Sequence, residues 1–95
     1  FHKIKDVDPK NYSQMLGFVF VKAINLAGFK KKVDEIHKKD VSKMLQSKYK
    51  NLSLEEIDKA FEIDRYSPES INHFDLFNST YVSKILNNYL NWKPL

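Results

Sequence analysis

Glycine and proline together occur only five times in these 95 residues, and that scarcity constrains the fold more than any motif does. A β-sandwich needs a turn every ~8–12 residues, and two glycines and three prolines are few for so many tight corners. Three of the five, Pro9, Gly28 and Pro68, stand at the edges of stretches whose apolar residues recur at helical spacing. The expectation is an all-α fold: one domain over residues 1–95, a compact bundle of about four helices. One long connection separates the third helix from the fourth, and residues 1–8 form a loose terminus.

Asp8-Pro9 reads as the first helix start, an acidic cap followed by a proline in the first turn. At ~100° per residue, Tyr12, Leu16, Val19, Ala23, Leu26 and Ala27 share a face, with Met15 and Phe20 flanking it. Gly28 is a natural stop. Phe18 and Val21 fall on the far side, so this helix is expected to be central and covered on several sides. The alternative is an exposed apolar pair that touches a partner.

The second helix is expected over residues 32–49, its core face carrying Val33, His37, Val41, Met44 and Leu45. Ser53 and Glu56 match the S-x-x-E capping box and open the third helix, which buries Leu54, Ile57, Ala60 and Phe61. The connection, residues 66–77, has no clean period and is expected to be pinned by Ile71, Phe74, Leu76 and Phe77. Connections of this length are uncommon inside compact domains and often functional. Asn78 or Ser79 then caps a last helix reaching about Trp92, with Val82, Ile85, Leu86, Tyr89 and Trp92 as its apolar face, extended by Tyr81 and Leu90.

Charge is segregated. Eight lysines against Asp34, Glu35 and Asp40 leave residues 30–50 at +5, whereas residues 51–75 sum to −5. On the second helix Lys32, Lys39, Lys43 and Lys50 form one stripe turned away from the core face. Such a row can follow a phosphate backbone and release its counterions. Lysine acts there as a point charge, and Arg65 is the only arginine, so base-specific reading is not expected. AT-rich codons would also enrich lysine and asparagine without any functional demand. Tyr49, Tyr66, Phe74 and Trp92 are candidate stacking surfaces for single strands, although Phe74 and Trp92 read more naturally as core. Glu55, Asp58 and Glu62 make a second, acidic face that would repel a polyanion and suits a protein partner or self-association of opposite faces.

Catalytic signals are sparse. Cysteine is absent, which removes disulfides and thiolate metal sites, and no glycine-rich phosphate loop is present. His37 reads as a hydrogen-bonded core residue. His73 and Asp75 form a His-x-Asp pair able to orient an imidazole for acid–base work, but no nucleophile or second base lies nearby. Lys59 and Arg65 can neutralise the acidic line, so no metal site is expected there. The chain reads as non-enzymatic, without cofactor. Its longest apolar run falls short of the ~20 residues a membrane span needs, and no secretory signal is legible, so a bacterial cytoplasm is expected. Opening on Phe1 instead of methionine, it also reads as trimmed, processed or a domain taken from a longer chain.

The C-terminal half, "YKNLSLEEIDKAFE" followed by "INHFDLFNSTYVSKILNNYLNW", resembles a group of small phage and prophage proteins of Bacteroidetes. The shared elements fall at residues 52–61, 73–77 and 81–89. The segment at 64–70, "DRYSPES", departs from the small, flexible stretch of that group. Proteins of this kind often accompany DNA-replication genes, so the resemblance implies a replication accessory that contacts nucleic acid or a nucleoprotein. The same setting, with this size and composition, also admits an inhibitor of a host defence nuclease of the anti-CRISPR kind.

Overall fold

The computed structural model describes residues 2–92, so expectations resting on residue 1 and residues 93–95 lie outside it. Among the described residues are a 3-10 turn, Ile4–Asp6, and four α-helices: α1 Pro9–Leu26, α2 Glu35–Lys48, α3 Leu54–Tyr66 and α4 Ser79–Trp92. The all-α expectation holds. The Cα radius of gyration, 12.5 Å, is what a single compact unit of this length should have, about 12 Å.

Each helix begins where a side chain satisfies its free N–H groups. The Asp8 carboxylate accepts from Asn11 N–H at 3.1 Å, and Asp34 from Ile36 N–H at the same distance. Ser53 Oγ accepts from Glu56 N–H at 3.1 Å, while Glu56 returns a carboxylate oxygen to Ser53 N–H at 3.2 Å. Asn78 Oδ1 accepts from Tyr81 N–H at 2.9 Å. Caps of this kind stabilise a helix by about 1 kcal/mol each. Asp34 explains why α2 starts later than its apolar spacing suggests. Gly28, at φ 79°, ends α1: its N–H donates to the Asn25 carbonyl and Phe29 N–H reaches back to that of Ile24, both at 3.3 Å. That paired closure requires a left-handed residue, which glycine adopts without a side-chain clash.

Side-chain contacts set the helix directions. Lys22 meets Asp58, and Met15 lines a groove with Leu54, so α1 and α3 run the same way. Tyr89 O–H donates to Glu56 while Tyr81 packs against Phe61, so α4 runs back along α3. Ser79 donates to Asp40 and Tyr49 to Asn87, which sets α2 parallel to α4. Tyr12 O–H donates to the Ser42 carbonyl at 3.0 Å and ties α1 to α2. The core holds Leu16 and Phe20 from α1, Val41 and Leu45 from α2, Ile57 and Phe61 from α3, and Val82, Ile85 and Leu86 from α4.

The assembly is a slab of 33 × 32 × 18 Å, and its flatness overturns several expectations. Central burial of α1 requires neighbours on every side, yet in a slab only one side of this helix is covered. Phe18 is 78% exposed, and Met15, Val21 and Leu26 are exposed with it, while Phe20 takes the core place expected of Val19. His37 is not a core residue: it shares an azimuth with Val41 but lies in the first turn of α2, and it is exposed. Phe74, Leu76 and Trp92 are likewise exposed, so they neither pin the connection nor complete the core. Of the four expected pins, Phe77 is buried and Ile71 half-buried.

The N-terminal segment is not loose over its described part. Ile4 is 4% exposed. Its N–H donates to the Leu52 carbonyl at 2.8 Å, and Lys5 N–H donates to that of Lys50 at 3.1 Å. Lys3 forms an isolated antiparallel bridge with Ser53. Sequestering the Ile4 side chain from water is worth about 1.5–3 kcal/mol, enough to hold a short strap that its local sequence would leave free.

Candidate functional site

Lys39 and Lys43 sit one turn apart on the outward side of α2. Lys32 precedes the helix and Lys50 follows it, so only the middle two stripe members are helical. All four are exposed, and none takes part in an ion pair among the described residues. The acids of the same segment are engaged elsewhere. Asp34 caps α2, Glu35 pairs with Lys38 at 3.3 Å, and Asp40 accepts from Ser79 Oγ at 2.6 Å. Ile36, also exposed, lies among these lysines.

The lysine run at residues 30–32 abuts the long connection. There Phe74 and Asp75 both adopt left-handed backbone, φ 51° and 60°. The Asp75 carboxylate accepts from Lys30 N–H at 2.9 Å and from Lys31 N–H at 3.3 Å. These bonds, the Lys30 one foremost, hold Asp75 below the ordinary carboxylate range. Asn72 Oδ1 accepts from Phe74 N–H at 2.8 Å, and the His73 carbonyl from Leu76 N–H at 2.8 Å. Phe74 itself is 77% exposed.

His73 is a structural keystone in this arrangement. Its ring stacks on Phe29 with centroids 3.9 Å apart. Asp75 N–H donates to Nδ1 at 2.7 Å, so Nε2 carries the ring proton and meets the Ala27 carbonyl at 3.0 Å. Both ring nitrogens are occupied by backbone, and the Asp75 carboxylate points to Lys30 and Lys31 instead of the imidazole. The His-x-Asp pair is therefore not arranged as an acid–base dyad. Beside it, burial pushes Asp64 up, partly offset by the N–H of Ile71. Burial also pushes the Tyr81 hydroxyl up to about 12, with the Asp64 charge adding to the effect.

The acidic line on α3 is largely neutralised. Asp58 pairs with Lys22 at 3.0 Å and Glu62 with Lys59 at 3.2 Å, leaving Glu55 half-buried on the rim of a groove. That groove, about 320 Å³ between α1 and α3, has Met15, Phe18, Val19 and Leu54 as its apolar wall. Among the described residues no group of His, Asp and Glu is gathered to hold a metal ion, and no helix is long and apolar enough to cross a membrane.

No family model, curated protein or solved structure matches this chain. Sequence reasoning missed the display of Phe74. The signal was local: Asn72 and Asp75 flank it, and both are turn formers that hydrogen-bond nearby backbone. Of the two tyrosines expected to offer stacking surfaces, Tyr66 is exposed, whereas Tyr49 is buried with its hydroxyl on Asn87.

Proposed function

We propose that this protein is a non-enzymatic module that binds nucleic acid, or a nucleoprotein, without sequence preference, through the outward lysines of residues 30–50. One observation carries the reading: of eight lysine ammonium groups in that segment, only that of Lys38 is in an ion pair among the described residues, although the Asp75 charge also acts on Lys31. A solvated surface evolved for solubility alone mixes both signs. Here Asp34 caps α2, Asp40 accepts from Ser79 and Glu35 pairs with Lys38, so three acids against eight lysines leave the segment a net +5. Lys32, Lys39, Lys43 and Lys50 supply point charges that displace counterions, and affinity falls steeply with salt. The resemblance to phage and prophage proteins adds a replication accessory role in a bacterial cytoplasm.

The test is a salt titration of binding to labelled oligonucleotides. We expect Lys39→Glu with Lys43→Glu to weaken binding for every sequence and to lower the salt slope by about 1 for each phosphate that is no longer neutralised. Unchanged affinity in that double variant, or no binding by the native protein at low salt, removes the reading.

A second reading has its own observation. The apolar α1–α3 groove, with Phe18 standing exposed beside it, suits a protein partner. An anti-CRISPR-like inhibitor would use it, with Glu55 on the groove rim meeting basic residues of a defence nuclease. Target cleavage by a purified CRISPR nuclease, with and without this protein, decides it; undiminished cleavage across the host's effectors excludes it.

A further inference from the structure

We infer that the turn at residues 72–76 is a base-stacking platform: Phe74 takes an unstacked base of a single strand, and Lys30, Lys31 and Lys32 hold its flanking phosphates. The inference rests on the nucleic-acid reading above and adds to it a site and a strand preference.

The backbone supplies the first argument. A left-handed residue costs roughly 1–2 kcal/mol unless it is glycine, asparagine or aspartate, and a bulky aromatic there is an outlier. Such strain commonly secures a buried contact. Phe74 has φ 51° and remains 77% exposed, so the conformation brings it little packing. What the conformation achieves is display of the ring to solvent.

The second argument is preorganisation. The Asn72, His73 and Asp75 hydrogen bonds hold the turn on both sides of Phe74, and stacking of His73 on Phe29 anchors it to the aromatic cluster beneath. A ring presented on so constrained a turn loses little conformational entropy when a ligand arrives.

The third is charge. The Asp75 carboxylate fastens the turn to the backbone of Lys30 and Lys31, so the turn that carries Phe74 adjoins a run of three lysines that form no ion pair among the described residues, against the single charge of Asp75. Aromatic faces with cations alongside are how single strands are held without base reading. A duplex keeps its bases stacked and offers the ring nothing. An anionic membrane would meet the tip alone, because α2 carries its lysines away from it over ~21 Å of helix, whereas a flexible strand can follow both.

The experiment compares a single strand with a duplex of the same sequence at one salt concentration, using native protein, Phe74→Ala, Phe74→Trp and the Lys39→Glu/Lys43→Glu pair. Phe74→Ala is expected to weaken single-strand binding at least about fivefold, as befits removal of one stacked base. Duplex binding and circular dichroism should be unchanged, and Phe74→Trp should retain single-strand affinity. If Phe74→Ala binds the single strand like the native protein while the lysine pair weakens both ligands, the platform is wrong and the electrostatic reading survives. If native protein binds neither ligand at low salt, both fall. A Phe74→Ala variant that loses only its binding to phosphatidylserine vesicles overturns the platform in favour of a membrane contact.

Discussion

Asp75 accepts a hydrogen bond from the backbone N–H of Lys30, 2.9 Å away across a sequence separation of 45 residues, and so joins the entry to α2 with the connection that precedes α4. One carboxylate thereby orders two segments that have no regular structure of their own. Its acidity is linked to that work. The folded-state pKa lies below the ordinary 3.8, so the ionised form contributes stability above that pH. The contribution erodes as pH falls through 3.8 toward the folded value, and below both values it is gone. Asp75→Ala should lose this dependence and speed hydrogen exchange at the Lys30 and Lys31 amides. Unchanged exchange at both amides would show that the clamp contributes nothing.

The strap before α1 should be structural. Ile4→Ala removes a buried side chain where only local collapse can refill the space, and we expect a loss of about 2–4 kcal/mol in urea unfolding with an unaltered slope. A loss below about 0.5 kcal/mol would mean that the strap merely lies on the surface.

Phe74→Gly should be a stabilising change that impairs function. Glycine relieves the left-handed backbone cost, part of which returns as unfolded-state entropy, leaving a gain of about 0.5–1 kcal/mol. Thermal unfolding measures the gain, and single-strand binding should fall as it does in Phe74→Ala. A destabilised glycine variant would show that the ring has packing value that its exposure conceals.

Tyr81 provides an alkaline probe. Its folded pKa is pushed up to about 12 from 10.0, so its neutral form contributes stability fully present below pH 10 and lost as pH rises from there toward 12. Burial raises the Tyr12 hydroxyl as well, so spectroscopic titration should show Tyr12 and Tyr81 late, and Asp64→Asn should bring Tyr81 back only in part, because burial is the larger cause. Complete normalisation would reverse that order.

The helix starts were legible in the sequence because capping is local. Asp8 lies within three residues of the N–H it satisfies, and Ser53 and Glu56 satisfy each other across one turn. The outward direction of Lys39 and Lys43 was legible for a similar reason, since helical periodicity alone separates them from Val41 and Leu45. Burial is different, being a relation between elements. Phe18 and Val21 carry the same apolar signal as Phe20, and only the slab arrangement leaves the first two in water while it covers the third. His37 shares an azimuth with Val41 yet lies a turn beyond it, and a helical wheel has no axis along which to record that. The Phe74 turn depends on Lys30, Phe29 and Ala27, all more than 40 residues away in sequence. Asn72 and Asp75 mark a turn locally, but the long-range bonds that anchor it, to Lys30 and Ala27, exist only once folding brings those residues within reach.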